Sequence, residues 1–108
     1  MNLSVIIPVL DEAPDIAAAL HALAPLRARG SEVIVVDGGS GDETAALARP
    51  LADFVIASAR GRAAQMNAGA ALARGDVLLF LHADTRLPPE ANRLMMNGMT
   101  QTLSLIHI

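Results

Sequence analysis

The chain has 108 residues, enough for one compact domain and too few for two cores. With 53% hydrophobic and 18% charged residues it is not a disordered type and is expected to bury a core. The net charge is −3, all eight basic residues are arginines scattered without a basic stripe, and cysteine is absent; this argues against nucleic acid as a partner and excludes disulfides, thiolate metal sites and a cysteine nucleophile.

The first apolar run, Leu3 to Val9, has no basic residues before it and is cut off by Asp11-Glu12, so it reads as a buried strand rather than an export signal or membrane span. Together with the missing cysteines this implies a cytoplasmic setting. A first helix is expected from about Pro14, with Ile16, Leu20 and Leu23 on one face, interrupted at Pro25 and stopped by Gly30. Glu32 to Val36 reads as the second strand. A second helix fits 42–49, capped by Asp42, and a third strand fits Asp53 to Ala57. The third helix, about 62–74, is Ala-rich and is expected to end at Gly75. Its small residues, Gly69 among them, would let it lie close to a sheet, although Gly69 weakens it intrinsically. Asp76 to Leu81 is the most apolar strand, and Pro88-Pro89 opens a fourth helix.

Continuously apolar strands alternating with helices predict an α/β fold with a mostly parallel sheet covered on both faces, joined by right-handed crossovers. Residues 1–94 form the expected half-domain. Residues 95–108 are an atypical tail, read as an edge strand, a truncated end or a non-native read-through.

In such a sheet ligands bind beyond the carboxyl ends of the strands, where strand order reverses. Three of the four strand ends carry acids. Asp37 leads into Gly38-Gly39-Ser40-Gly41, where glycines permit tight turns and close approach of a ligand. Its carboxylate suits a base or ribose; the alternative is an aspartate that only satisfies turn donors. The loop is neither a P-loop nor a dinucleotide fingerprint. Asp84 leaves the most apolar strand at a sheet edge, a placement that suits Mg²⁺ or Mn²⁺ sharing its other oxygens with phosphates and water, or else a turn acid. His82 is a second ligand, a phosphate contact or a structural residue. Arg60 and Arg62 stand before a helix N-terminus, where fixed charge and free N–H groups suit pyrophosphate. Gln65, Met66 and Asn67 follow, with Asn67 expected to bond a nearby loop and Met66 to join the core. Asp11 and Glu12 are candidate caps of the first helix.

These segments, in order, resemble family 2 glycosyltransferases of the GT-A fold, inverting enzymes that use nucleotide-diphosphate sugars. The resemblance covers residues 3 to about 90. Ser4-Val5-Ile6-Ile7-Pro8-Val9-Leu10-Asp11-Glu12 is similar to the opening strand of that family, with Asp11 in place of the usual Asn. Val35-Val36-Asp37-Gly38-Gly39-Ser40-Gly41-Asp42-Glu43-Thr44 resembles its V-D-D-G-S-x-D-x-T loop, with Gly38 where a second Asp is frequent. Gly61-Arg62-Ala63-Ala64-Gln65-Met66-Asn67-Ala68-Gly69 resembles the helix start that approaches the phosphates. The D-x-D metal motif stands here as His82-Ala83-Asp84, with the second acid retained, and His82-Ala83-Asp84-Thr85 looks like a bacterial subgroup. The resemblance implies a Rossmann-like nucleotide-binding half that takes up a nucleotide-diphosphate sugar and a divalent metal. It implies donor contacts at Pro8, Val9, Glu12, Asp37, Gly38, Arg62, Asn67 and His82 and a metal ligand at Asp84. No catalytic residue is assigned, since the family's general base lies well downstream and the only acid after Asp84 is Glu90. The competing readings are an S-adenosylmethionine-dependent methyltransferase, suggested by the glycine loop after Asp37, and a non-catalytic nucleotide-binding or assembly module.

Overall fold

A computed structural model describes residues 2–83 and the backbone of 104–107. Along the chain run β1 (Leu3–Val9), α1 (Ala13–Ala22), α2 (Ala24–Ala28), β2 (Glu32–Asp37), α3 (Thr44–Ala48), a 3-10 turn (Arg49–Leu51), β3 (Phe54–Ala57), α4 (Arg62–Leu72), β4 (Val77–Phe80) and β5 (Ser104–His107). All strand pairings are parallel, and the order across the sheet is β3-β2-β1-β4-β5. The tail thus contributes an edge strand. The expected fourth helix at Pro88-Pro89, with Glu90, and the metal candidate Asp84 lie outside the described residues.

The period-2 geometry of a strand sorts β1 between two layers. Leu3, Val5, Ile7 and Val9 pack with Ile16, Leu20, Leu23 and Leu26 of α1 and α2 and with Ala48 of α3. Ile6, joined by Ile34, Val36 and Phe80, packs instead under α4 against Met66, Ala68 and Leu72. Ile6, Ile7, Ile16, Leu20 and Ile34 are fully buried, and each contributes on the order of 1.5–3 kcal/mol of transfer free energy. Both faces are covered, which is why the strands read as continuous apolar runs.

The small residues of α4 act as expected at one position. A Cβ on Gly69 would lie 2.4 Å from Ile6 Cγ2 and 3.1 Å from Val36 Cγ2, so glycine sets how close the helix comes to the sheet. Gly75, by contrast, does not stop this helix, which ends at Leu72 when Ala73 turns extended (φ −65°, ψ 141°). Gly75 instead lets the chain pass Ser4, where a Cβ would meet the Ser4 backbone nitrogen at 2.8 Å. The proline at Pro25 starts α2 rather than ending all helix, because the first helical turn tolerates a missing N–H.

The second helix is shorter than 42–49: α3 begins at Thr44, with Glu43 rather than Asp42 at the capping position. Asp42 is still bonded, Oδ1 accepting the Thr44 N–H at 3.0 Å, while the Thr44 hydroxyl donates to the same oxygen. At the far side, Arg27 grips Asp53 through Nε at 3.2 Å and Nη2 at 3.1 Å, and Asp53 Oδ2 accepts the Val33 N–H at 2.7 Å. Those bonds tie α2, β2 and the entry to β3 together. Among the described residues no helix is long and apolar enough to cross a membrane.

Candidate functional site

Strands β2 and β3 lie on one side of β1 and β4 on the other, so the strand order reverses between β1 and β4. An open parallel sheet has its crevice at that point. A cleft of about 200 Å³ sits there, lined by Pro8, Val9 and Leu10 at the end of β1, Glu12, Arg62 and Gln65 of α4, and His82 after β4. Five of the residues expected from the sequence, Pro8, Val9, Glu12, Arg62 and His82, therefore meet in one place.

The Arg62 guanidinium contacts the His82 ring, with Nη2 3.3 Å from Nδ1. Gly61 at the N-cap of α4 offers no side chain, so the first helical turn borders the cleft without a capping group. Cation, imidazole and helix N-terminus together favour an anion at this edge.

Asp37 stands at the end of β2 and shapes the loop after it. Its Oδ1 accepts the Gly39 N–H at 3.0 Å, the Ser40 N–H at 2.8 Å and the Ser40 hydroxyl at 2.8 Å. Oδ2 accepts no hydrogen bond among the described residues. One oxygen thus does the turn work weighed against the ligand reading, and the other remains available. Gly38, buried beside it, donates its N–H to Val9 O at 3.0 Å.

The neighbouring loops are laced together by side chains. Asp11 holds a left-handed backbone (φ 53°), its Oδ1 accepts the Gly41 N–H at 2.7 Å, and its own N–H donates to Ser40 Oγ at 2.9 Å. Aspartate tolerates this conformation better than most side chains. The expected caps of α1 are corrected here, for neither Asp11 nor Glu12 caps it through its side chain. Donors at its start are satisfied from the other loop: the Glu12 N–H by Thr44 Oγ1 at 2.9 Å and the Ala13 N–H by Asp42 Oδ2 at 3.3 Å. Thr44's donated hydrogen bond, against a smaller desolvation cost, holds the Asp42 carboxyl below its ordinary pKa.

Asp37 and Gly38, at the end of the neighbouring strand, do not line the cleft, and the expected residues Asn67 and Arg60 lie away from it. Asn67 is exposed on α4 and makes no hydrogen bond to a loop among the described residues. Arg62 and Gln65 share a helix face at i, i+3, whereas Asn67 comes two residues after Gln65 and projects about 200° around the axis. Arg60 is likewise exposed and does not line the cleft. The residue missed by sequence reasoning is Gln65, which is only 5% exposed. A lone polar side chain on an Ala-rich helix, three residues after Arg62, was the available signal.

Residues 4–106 match the model of the family "Glycosyl transferase family 2". A PGL/p-HBAD biosynthesis glycosyltransferase of Mycobacterium bovis is 38% identical over 91 residues, covering 78% of this chain and 36% of the relative. An undecaprenyl-phosphate 4-deoxy-4-formamido-L-arabinose transferase of Pseudomonas paraeruginosa is 32% identical over 98 residues, covering 81% of this chain and 29% of the relative. The chain thus spans about a third of the length of these relatives. Among solved structures, a mannosyltransferase from Pyrobaculum calidifontis in complex with GDP-Man and Mn²⁺ superimposes with a TM-score of 0.71 at 30% identity, covering 89% of this chain and 30% of that one. Glucosyl-3-phosphoglycerate synthase from Mycobacterium tuberculosis, with Mn²⁺, UDP and glucosyl-3-phosphoglycerate, gives a TM-score of 0.70 at 26% identity, covering 77% and 33%. The methyltransferase alternative is not favoured. With the expected Rossmann-like parallel sheet in place and the family match running through all of it, the chain belongs to glycosyl transferase family 2.

Proposed function

We propose that this chain is the donor-binding half of a glycosyltransferase, taking up a nucleotide-diphosphate sugar with a divalent metal. The observation that carries the proposal is the cleft at the β1/β4 reversal, where Arg62 and the N-terminus of α4, which has no side-chain cap, favour an anion beside the Asp37 loop. In this reading Asp37 Oδ2 receives the base, Arg62 balances the pyrophosphate, and Pro8, Val9, Glu12, Gly38 and His82 shape the surrounding wall. Two relatives of solved structure are complexes with Mn²⁺ and with UDP or GDP-Man, which supports a donor of that class here.

In this reading the metal is held mainly by its substrate. Among the described residues no three His, Cys, Asp or Glu side chains converge on one point. Mg²⁺ and Mn²⁺ need no such cage when phosphate and water supply most oxygens, and one carboxylate suffices. Asp84 is the proposed ligand. A bound divalent metal would offset the charge that develops on the leaving diphosphate. The chain's own residues bind and orient the donor, and Arg62 adds positive charge beside the phosphates. A cytoplasmic setting is part of the proposal, supported by the cysteine-free sequence.

Titration with UDP- and GDP-sugars, with and without Mn²⁺, tests this. Metal-dependent binding that Asp84→Ala abolishes is the expected result. Binding of S-adenosylmethionine instead, or of no nucleotide at all, would overturn it.

A further inference from the structure

Gln65 reaches from α4 to the carboxyl ends of two strands. Its Nε2 donates to Val9 O and to Val36 O, both at 2.9 Å. Both amide hydrogens are thereby used, and the flipped amide would set Oε1 against two carbonyl oxygens, so the orientation is fixed. Oε1 faces the other way and accepts no hydrogen bond among the described residues. Among the described residues Ser31 Oγ, far from this cleft, is the buried side-chain polar atom left without a partner, so Oε1 keeps some exposure. A side chain that lines the cleft thus presents an oriented acceptor with no donor to meet it among the described residues.

A purely structural role accounts poorly for this placement. Val9 O already accepts the Gly38 N–H at 3.0 Å, so it does not depend on Gln65 for a partner. Burying an amide to 5% exposure costs desolvation that an alanine would avoid. The chain also keeps the adjoining space clear. A Cβ on Gly38 would lie 2.7 Å from Gln65 Oε1 and 2.8 Å from its Cδ, so any larger residue there would push the amide off its strand carbonyls. Gly38 stands where the family resemblance makes a second aspartate frequent.

We propose that Gln65 contacts substrate, its Oε1 accepting a hydrogen bond from an N–H or O–H of the bound nucleoside, and that Gly38 is small to keep that amide in place. A neutral acceptor supplied by α4 then stands in for an acid on the β2 loop. The inference rests on the nucleotide-binding reading above and narrows it to one atom. The donor is an imide or amide N–H of the base or a ribose hydroxyl, and the two are separable.

Calorimetric titration of the 108-residue chain with Mn²⁺ would compare UDP and GDP with their base-methylated forms, 3-methyl-UDP and 1-methyl-GDP, and with their 2′-deoxy and 3′-deoxy forms. Removing the hydrogen that meets Oε1 is expected to weaken the wild type about 3- to 12-fold, the scale of one neutral hydrogen bond. In Gln65→Met, which keeps the length and loses both polar ends, the same removal should cost less than about 2-fold. The base or ribose arm that shows the difference identifies the donor. Equal penalties in wild type and variant for every analogue would overturn the inference while leaving nucleotide binding intact; no binding of either nucleotide by the wild type would overturn both. Should Gln65→Met fail to fold, Gly38→Ala, which displaces Oε1 but retains the glutamine, takes its place under the same criteria.

Discussion

Ser40 meets Asp37 Oδ1 twice, through its backbone N–H and its hydroxyl, each at 2.8 Å. The hydroxyl also accepts the Asp11 N–H at 2.9 Å, so one side chain links the β1–α1 loop to the acid that ends β2. Ser40→Ala is expected to cost about 1 kcal/mol of stability, as one intramolecular hydrogen bond is lost and one N–H loses its partner. Nucleotide affinity should fall several-fold because Asp37 loses a fixed orientation, and Ser40→Thr should restore most of it. Urea denaturation and nucleotide titration read the two effects separately.

Thr44 is fully buried, and its hydroxyl both accepts the Glu12 N–H and donates to Asp42. Thr44→Val keeps the shape and strands that N–H beside an apolar methyl. A loss of about 1–3 kcal/mol is expected, against well under 1 kcal/mol for a substitution at exposed Asn67. Equal midpoints in thermal melts of the two variants would contradict the capping role.

Partial burial opposes charge on Asp53, but hydrogen bonds from Arg27 and the Val33 N–H outweigh it and hold the carboxyl below its ordinary 3.8. Folding therefore favours the carboxylate. This contribution is complete above 3.8 and vanishes as pH falls through the lower folded value. Asp42 carries a shift of the same sign. Denaturation from pH 6 down to about pH 2 should show stability declining below about pH 4, with a shallower decline in Asp53→Asn.

At Gly69 two opposite effects can be weighed. Alanine improves helix propensity by about 1 kcal/mol, yet its Cβ would lie 2.4 Å from Ile6 Cγ2 in a fully buried layer. Overpacking typically costs about 1–3 kcal/mol. Gly69→Ala is expected to be net destabilising, and a variant with raised melting temperature would show that α4 can lift from the sheet.

Periodicity carried the architecture, because parallel strands covered on both faces leave an unbroken apolar signal, and Leu3–Val9 and Phe54–Ala57 emerge within a residue of expectation. The meeting of Pro8, Val9, Glu12, Arg62 and His82 was legible because strand ends in such a sheet converge on one crevice. What local pattern could not reveal were partners far apart in sequence. Thr44 and Asp42 satisfy donors at the start of α1, some 30 positions earlier, whereas sequence neighbours point to Asp11 and Glu12 for that task. Gln65 escaped for the same reason, since its partners belong to β1 and β2. Asn67 follows the phosphate-side segment in sequence, but the faces of a helix decide what reaches the cleft, and Asn67 is on another face.

The lacing between the first two loops bears on how the chain emerges from the ribosome. A nascent segment ending near Gly30 already contains β1, α1 and α2, but the groups that satisfy the Glu12 and Ala13 amides have not yet been synthesised. Those two amides can gain their protein partners only after Thr44 has cleared the exit tunnel, and until then water must satisfy them.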